Sequence, residues 1–194
     1  MPDPALLTVQ HRAAQLAVRA AAARDLARVF PLWRGDEASF RSFIEVAVPI
    51  VTLRHQTSGA LAGAYYQQLR REERPGGKRL EVPQADLNVD ALKVSLYTTG
   101  RNMTDRAIAA GLSPQAAIQA ALVRVTGTVT RYTLSGGRDT LVEAVRDDPR
   151  AEGYERIIGS EACAFCQDLA GTSSTDDFSA HDHCGCTAAP VWTP

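Results

Sequence analysis

The chain has 194 residues, 45% hydrophobic and 22% charged, with a formal net charge of -1, globular values that suffice for one ordinary domain or for a helical body with a small appendage. No apolar run approaches the roughly 18 to 20 uncharged residues that span a bilayer, and Met1-Pro2-Asp3-Pro4 lacks the basic flank and apolar segment of a secretion signal, so neither a membrane protein nor a secreted one is expected. Charge is polarised, with 12 basic against 7 acidic residues in 1–80 and 9 against 15 in 81–194; a basic half can face nucleic acid or an acidic partner, although most such excesses are solvated helix faces.

From Val9 the positions Val9, Ala13, Leu16, Ala20, Ala23, Ala27 and Phe30 alternate four and three apart, which predicts one buried face of a helix ended by Pro31. Asp36 is placed as the N-cap of a second stretch carrying Phe40, Ile44, Ala47, Val51, Leu61, Tyr65 and Leu69. Pro49 lies inside it and predicts a kink or a division, since proline removes an intrahelical bond. The charge run Arg70 to Arg74, closing on Pro75-Gly76-Gly77, reads as an exposed loop, with 72–80 as its span.

A helical piece is predicted from Val89 to Tyr97, broken at Thr99-Gly100, and a short one from Asp105 to Ala110, closed by Gly111. Ser113-Pro114 is the clearest start signal, with serine as N-cap and proline in the first turn. The helix that follows carries Ile118, Leu122, Val125, Val129 and Tyr132; Gly136-Gly137 predicts its interruption, and Asp147-Asp148-Pro149 a final stop. At Tyr154 to Ile158 the pattern turns short and β-prone. The fold class is therefore mainly α: a helical bundle or elongated helical body over 1–150, followed by a small zinc-ribbon-like β and loop module over 151–194.

All four cysteines fall between 163 and 186, after 162 residues without one. Such clustering suits a metal site better than the dispersed cysteines of a disulfide framework. Cys163-x-x-Cys166 can present two thiolates to one ion, and His181-Asp182-His183-Cys184-Gly185-Cys186 can close a tetrahedron. The preferred set is Cys163, Cys166, His181 and Cys184 around a structural Zn2+, with Cys186 as the alternative ligand; two local disulfides are the competing reading. Between the pairs, Gln167 to Ala180 is too polar to pack alone, so a metal clamp explains its ordering. A closed site activates no water, and no acid–base pair or nucleophile is marked elsewhere, so no catalytic residue, enzymatic activity or small-molecule substrate is expected. His11 and His55 read as helix residues rather than ligands, Trp33 as an anchor, and Trp192 as folding the tail onto the metal module.

Cys163-Ala164-Phe165-Cys166-Gln167-Asp168-Leu169-Ala170-Gly171, with Phe178-Ser179-Ala180-His181-Asp182-His183-Cys184-Gly185-Cys186 and the lead-in Tyr154-Glu155-Arg156-Ile157, resembles the C-terminal signature of tailed-phage minor capsid proteins of the Mu F-like head-morphogenesis type, especially their actinobacterial-phage relatives. The resemblance covers about Tyr154 to Trp192. It implies a structural protein of the virion, in the capsid interior or beside the portal, made in the host cytoplasm and associated with portal, scaffold or capsid proteins and packaged DNA. The alternative is a zinc-ribbon nucleic-acid-binding protein. Against it, 161–186 carries Glu161, Asp168, Asp176, Asp177 and Asp182 without a lysine or arginine, the wrong sign for phosphate.

Overall fold

Asp3 accepts a hydrogen bond from the Ala5 amide at 2.9 Å and Pro4 fills the first turn, and from this cap the chain winds into helix α1, Pro4–Val29. In the computed structural model, which describes residues 3–73, 79–160, 162–171 and 173–192, α1 is followed by a 3-10 turn at Phe30–Leu32 and by α2, Glu37–Glu73. Next come α3, Val89–Leu96, and α4, Met103–Ala109, joined by a π turn at Tyr97–Asn102. Helix α5, Pro114–Asp147, leads into β1, Ala151–Ile157. A short α6, Ala164–Asp168, β2, Ser173–Ser174, and β3, Thr187–Trp192, complete the chain. The fold is mainly helical: α1, α2 and α5 pack on one another, and an antiparallel sheet in the order β2-β1-β3 lies at one end.

The buried face of α1 is not the predicted one. Leu7, His11, Gln15, Val18, Ala22 and Leu26 point inward, while Val9, Ala13, Ala20 and Ala27 are exposed. Alanines lose little by facing water, so the larger Leu7, Val18 and Leu26 set the rotation of the helix. The two polar residues on this face are satisfied inside. Gln15 donates to the Ser58 carbonyl at 3.0 Å and accepts from the Ser58 hydroxyl at 2.6 Å. His11 stacks on Tyr65 with ring centroids 4.2 Å apart, and burial pushes its pKa down to about 4, so it packs as a neutral ring.

Three predicted breaks are absent. Asp36 does cap α2, accepting from the Ser39 amide at 2.8 Å, but α2 runs undivided through Pro49, which lies on its exposed side. Thr99-Gly100 sits in the π turn, where the Thr99 hydroxyl donates to the Ser95 carbonyl at 2.8 Å and Gly100 lies against the Phe40 ring. Gly136-Gly137 lies inside an uninterrupted α5 because the glycines serve packing rather than a turn. A Cβ on Gly136 would overlap the His55 carbonyl oxygen, and one on Gly137 would stand 2.7 Å from both Gln15 Nε2 and Ser58 Oγ. Here α1, α2 and α5 approach so closely that no side chain fits between them.

The predicted loop at 70–77 divides. Helix α2 continues to Glu73, residues 74–78 lie outside the described residues, and Arg70 is buried. Its Nε donates to Asp148 Oδ2 at 2.6 Å. The same carboxylate, whose side chain has no exposure, accepts from the Tyr66 hydroxyl at 2.9 Å, the Trp192 indole at 3.2 Å and the Arg150 amide at 3.1 Å. Trp192 therefore anchors the tail to α2 and the end of α5, its ring tilted against Tyr66 at 5.5 Å, rather than to the cysteine loops. Trp33 is an anchor as predicted, edge-on to Phe30 and Phe40 in the core at the other end. The second core joins Tyr66, Leu69, Leu141 and Val145 to Tyr154, Cys166, Cys184 and Cys186 of the C-terminal segment.

Burial raises the pKa of Asp148, but Arg70, the Arg150 amide, Trp192 and Tyr66 together bring it below its ordinary 3.8, to about 2. A depressed carboxylate stabilises the fold fully above about pH 4 and loses that contribution as pH falls through about 2. Urea unfolding followed against pH is expected to show this fall, and Asp148→Ala is expected to cost about 3 to 5 kcal/mol at neutral pH, because the buried Arg70 loses the Asp148 carboxylate. Gly136→Ala, which forces α2 and α5 apart, is expected to cost about 3 kcal/mol, read as a lowered midpoint in the same assay.

Candidate metal centre

The cysteine loops hang from the β1–β3 pair, whose register sets Arg156 opposite Ala188 and Ile157 opposite Thr187. One loop leaves after β1 and the other ends as β3 begins, so strand pairing alone brings the two halves of the motif together. Cys163 is the N-cap of α6, and the Gln167 amide donates to its carbonyl at 3.0 Å; this single turn sets Cys166 on the same side as Cys163. In the second loop the Cys184 amide donates to the His181 carbonyl at 3.2 Å, with His183 in the left-handed region at φ 63°. That turn carries His181 and Cys184 to one side and directs the exposed His183 away from the thiols toward Gly127.

Two groups of ligands overlap. The ligand atoms of Cys163, Cys166 and His181 lie within 4.8 Å of one another, as do those of Cys166, Cys184 and Cys186. Cys166 belongs to both sets. The Cys163 and Cys166 sulfurs stand 3.0 and 3.4 Å from His181 Nε2, and Cys166 Sγ is 3.7 Å from Cys184 Sγ. The edges of a tetrahedral zinc site are about 3.8 Å between sulfurs and about 3.6 Å from sulfur to nitrogen. Two of the three distances fit directly, and the Cys163–His181 edge would open by about half an ångström. His181 Nδ1 lies 2.7 Å from the Asp182 carbonyl; donating there, it leaves Nε2 free to coordinate and fixes the orientation of the imidazole. Cys163 is exposed, whereas Cys166, Cys184 and Cys186 are buried and none of the four is in a disulfide.

The thiols are electrically unequal. A hydrogen bond from Cys186, and after it the Arg138 guanidinium, hold Cys184 down at about 4, and the same hydrogen bond pushes Cys186 up. The Cys166 amide lowers Cys163, while burial raises Cys166. The backbone carbonyl of Asp182 raises His181.

Arg138 went unrecognised in the sequence. It is 2% exposed, and it donates from Nε to the Cys186 carbonyl at 3.0 Å and from Nη2 to the Cys184 carbonyl at 2.9 Å. Its signal was present: Leu134, Arg138, Leu141 and Val145 keep the four-three spacing, so the arginine stands on an apolar stripe. Phe178 is covered by Arg156 at 3.9 Å and Arg138 at 5.1 Å, and Arg156 Nη2 donates to the Ser179 carbonyl at 2.6 Å. The acidic residues of this loop also meet arginines of α5. Arg131 pairs with Asp182 at 2.8 Å and Arg146 with Asp177 at 2.9 Å. His11 and His55 stand apart from the cluster; His55 lies between the carbonyls of Tyr132 and Ala85 at 2.9 and 3.0 Å.

The family model described as VG15 protein matches residues 5–194, and the chain belongs to that family. The gene 15 protein of Mycobacterium phage D29 is 29% identical over 133 residues, which are 66% of this chain and 45% of that protein. The chain thus matches less than half the length of this curated relative. No solved structure matches. Family and relative identify a phage protein.

In chelator-treated protein, the exposure of Cys163 and its lowered pKa act in the same direction. Limited alkylation followed by peptide mass mapping is expected to label Cys163 before Cys166, Cys184 and Cys186.

Proposed function

We propose that this VG15-family phage protein is a structural component of the virion, a minor capsid protein that acts in head morphogenesis beside portal, scaffold or capsid proteins, and that its Cys/His cluster holds one structural zinc ion. The observation that carries the reading is that Cys163, Cys166 and His181 lie within 4.8 Å of one another and that Cys166 lies as close to Cys184 and Cys186, so that one thiol joins the two loops, on the residues that resemble the Mu F-like signature. Bound there, zinc would supply cross-linking of two loops rather than an activated water, because four protein ligands leave no open position.

The residues around the cluster support a staple rather than a catalyst. Arg138 and Arg156 use their guanidiniums to hold backbone carbonyls and an aromatic ring. Cys186, the alternative ligand, lies beside Cys166 and Cys184. Loops this poor in apolar residues cannot order by burial alone, so metal binding contributes folding free energy directly. The segment it orders ends in β3, whose Trp192 reaches Asp148, and so metal binding and the packing of α2 against α5 reinforce each other. The protein has no enzymatic activity of its own in this reading; its work is assembly.

Purified protein is expected to contain about one zinc per chain by elemental analysis. Cys163→Ser and Cys184→Ser are expected to lose it, together with amide-exchange protection after residue 153, while Cys186→Ser keeps it. Metal-free protein with an unchanged C-terminal fold would overturn the zinc assignment. Mass spectrometry of density-purified virions tests the structural role, for which the chain must be present in the particle and co-isolate with portal-containing heads.

A further inference from the structure

A cleft of about 430 Å3 opens between α1 and the cysteine loops. Its α1 wall is Arg12, Leu16 and Arg19, Gly159 and Gly185 lie opposite, and the cysteines of the cluster with His181 line it as well. Four and three residues apart, Arg12, Leu16 and Arg19 share one helix face, so the two arginines arise about 10 Å apart along the axis. Both are half-buried. Each lies against the backbone of a different loop: a Cβ on Gly159 would overlap Arg12 Nη2, and one on Gly185 would stand 3.0 Å from Arg19 Nη1. Glycine at these two positions is what admits the guanidiniums.

Neither guanidinium has an acceptor among the described residues, and Arg12 Nε is enclosed with no hydrogen-bond partner. The other arginines around the module are engaged: Arg131 and Arg146 with carboxylates, Arg138 and Arg156 with carbonyls. No carboxylate is among the described residues lining the cleft, where the acidic groups are the thiols of the cluster. We propose that this cleft is an oxyanion site, in which Arg12 and Arg19 bind a phosphate group from the two ends of the α1 wall. A guanidinium offers a planar fork of donors that matches phosphate oxygens, and a half-buried cation without an acceptor recovers its lost hydration when an anion enters. The metal reading adds a charge argument and is needed for that alone: zinc with three thiolates and one imidazole keeps a single negative charge, which the buried Arg138 already faces, leaving Arg12 and Arg19 uncompensated.

The test is titration of the intact protein with inorganic phosphate in a calorimeter at low salt, with zinc content measured on the same samples. Phosphate binding by the wild type is expected to weaken about tenfold in Arg12→Gln and in Arg19→Gln and to persist in Arg12→Lys, with circular dichroism unchanged. No binding by the wild type, or equal binding by the glutamine variants, would overturn the site. So would binding seen only in Glu161→Gln, since Arg12 would then be paired within the chain. Duplex DNA distinguishes the sources of the phosphate. Competition by DNA, with a salt slope reduced by about two in the double glutamine variant, assigns the group to a nucleic acid backbone; phosphate binding without such competition assigns it to a free phosphate. Phosphate binding by zinc-free protein would leave the site standing while the metal assignment failed.

Discussion

The buried carboxylate of Asp148 is the constraint on which the arrangement of this chain depends. Helix α5 ends on it, Arg70 and Tyr66 bring the last turns of α2 to it, and Trp192 brings the final strand back to it. A charge so fully removed from water is tolerable only when its hydrogen-bonding capacity is filled, and here four donors from three parts of the chain fill it. The sheet consequently starts and finishes at one fixed point on the helical body. Everything held by the sheet, including both cysteine loops, inherits that position.

From this point the module is built outward by arginines of α5 and β1. Arg138 grips the carbonyls of Cys184 and Cys186, Arg156 covers Phe178 and holds Ser179, and Arg131 and Arg146 pair with Asp182 and Asp177. Part of the acidity of the loop, which argues against phosphate binding when it is read as an isolated finger, is answered internally, since Asp177 and Asp182 pair with arginines of the helical body. Cationic capacity remains on the opposite wall, on α1, where Arg12 and Arg19 overlook the cluster. The C-terminal segment shares one continuous apolar cluster with α2 and α5, so ordering the loops also completes a core.

Much of the architecture was legible locally. Caps at Asp36 and Ser113 and the stop at Asp147-Asp148-Pro149 act through neighbouring atoms and fall where the sequence sets them, and the β-prone Tyr154 to Ile158 overlaps a strand that begins earlier, at Ala151. The errors are of one kind. Pro49, Thr99-Gly100 and Gly136-Gly137 carry the local marks of a break, yet each lies within helical structure. At Gly136-Gly137 the decisive contacts are with His55, Gln15 and Ser58, which are distant in sequence. The alanine stripe of α1 misled for a related reason: its periodicity is real, but its burial is worth too little to orient the helix.

The sequence by itself determined that the chain is mainly helical and that four cysteines and a histidine are gathered into one short segment, because helix caps, hydrophobic periodicity and ligand spacing are properties of adjacent residues. Tertiary structure alone decided which face of α1 is buried, that a glycine pair allows three helices to cross, that Arg70 lies inside, and that Arg138 backs the thiols. Each of these depends on what lies opposite a residue in space. A close approach, a buried charge and its partner are set by packing across dozens of residues, and no local pattern encodes them.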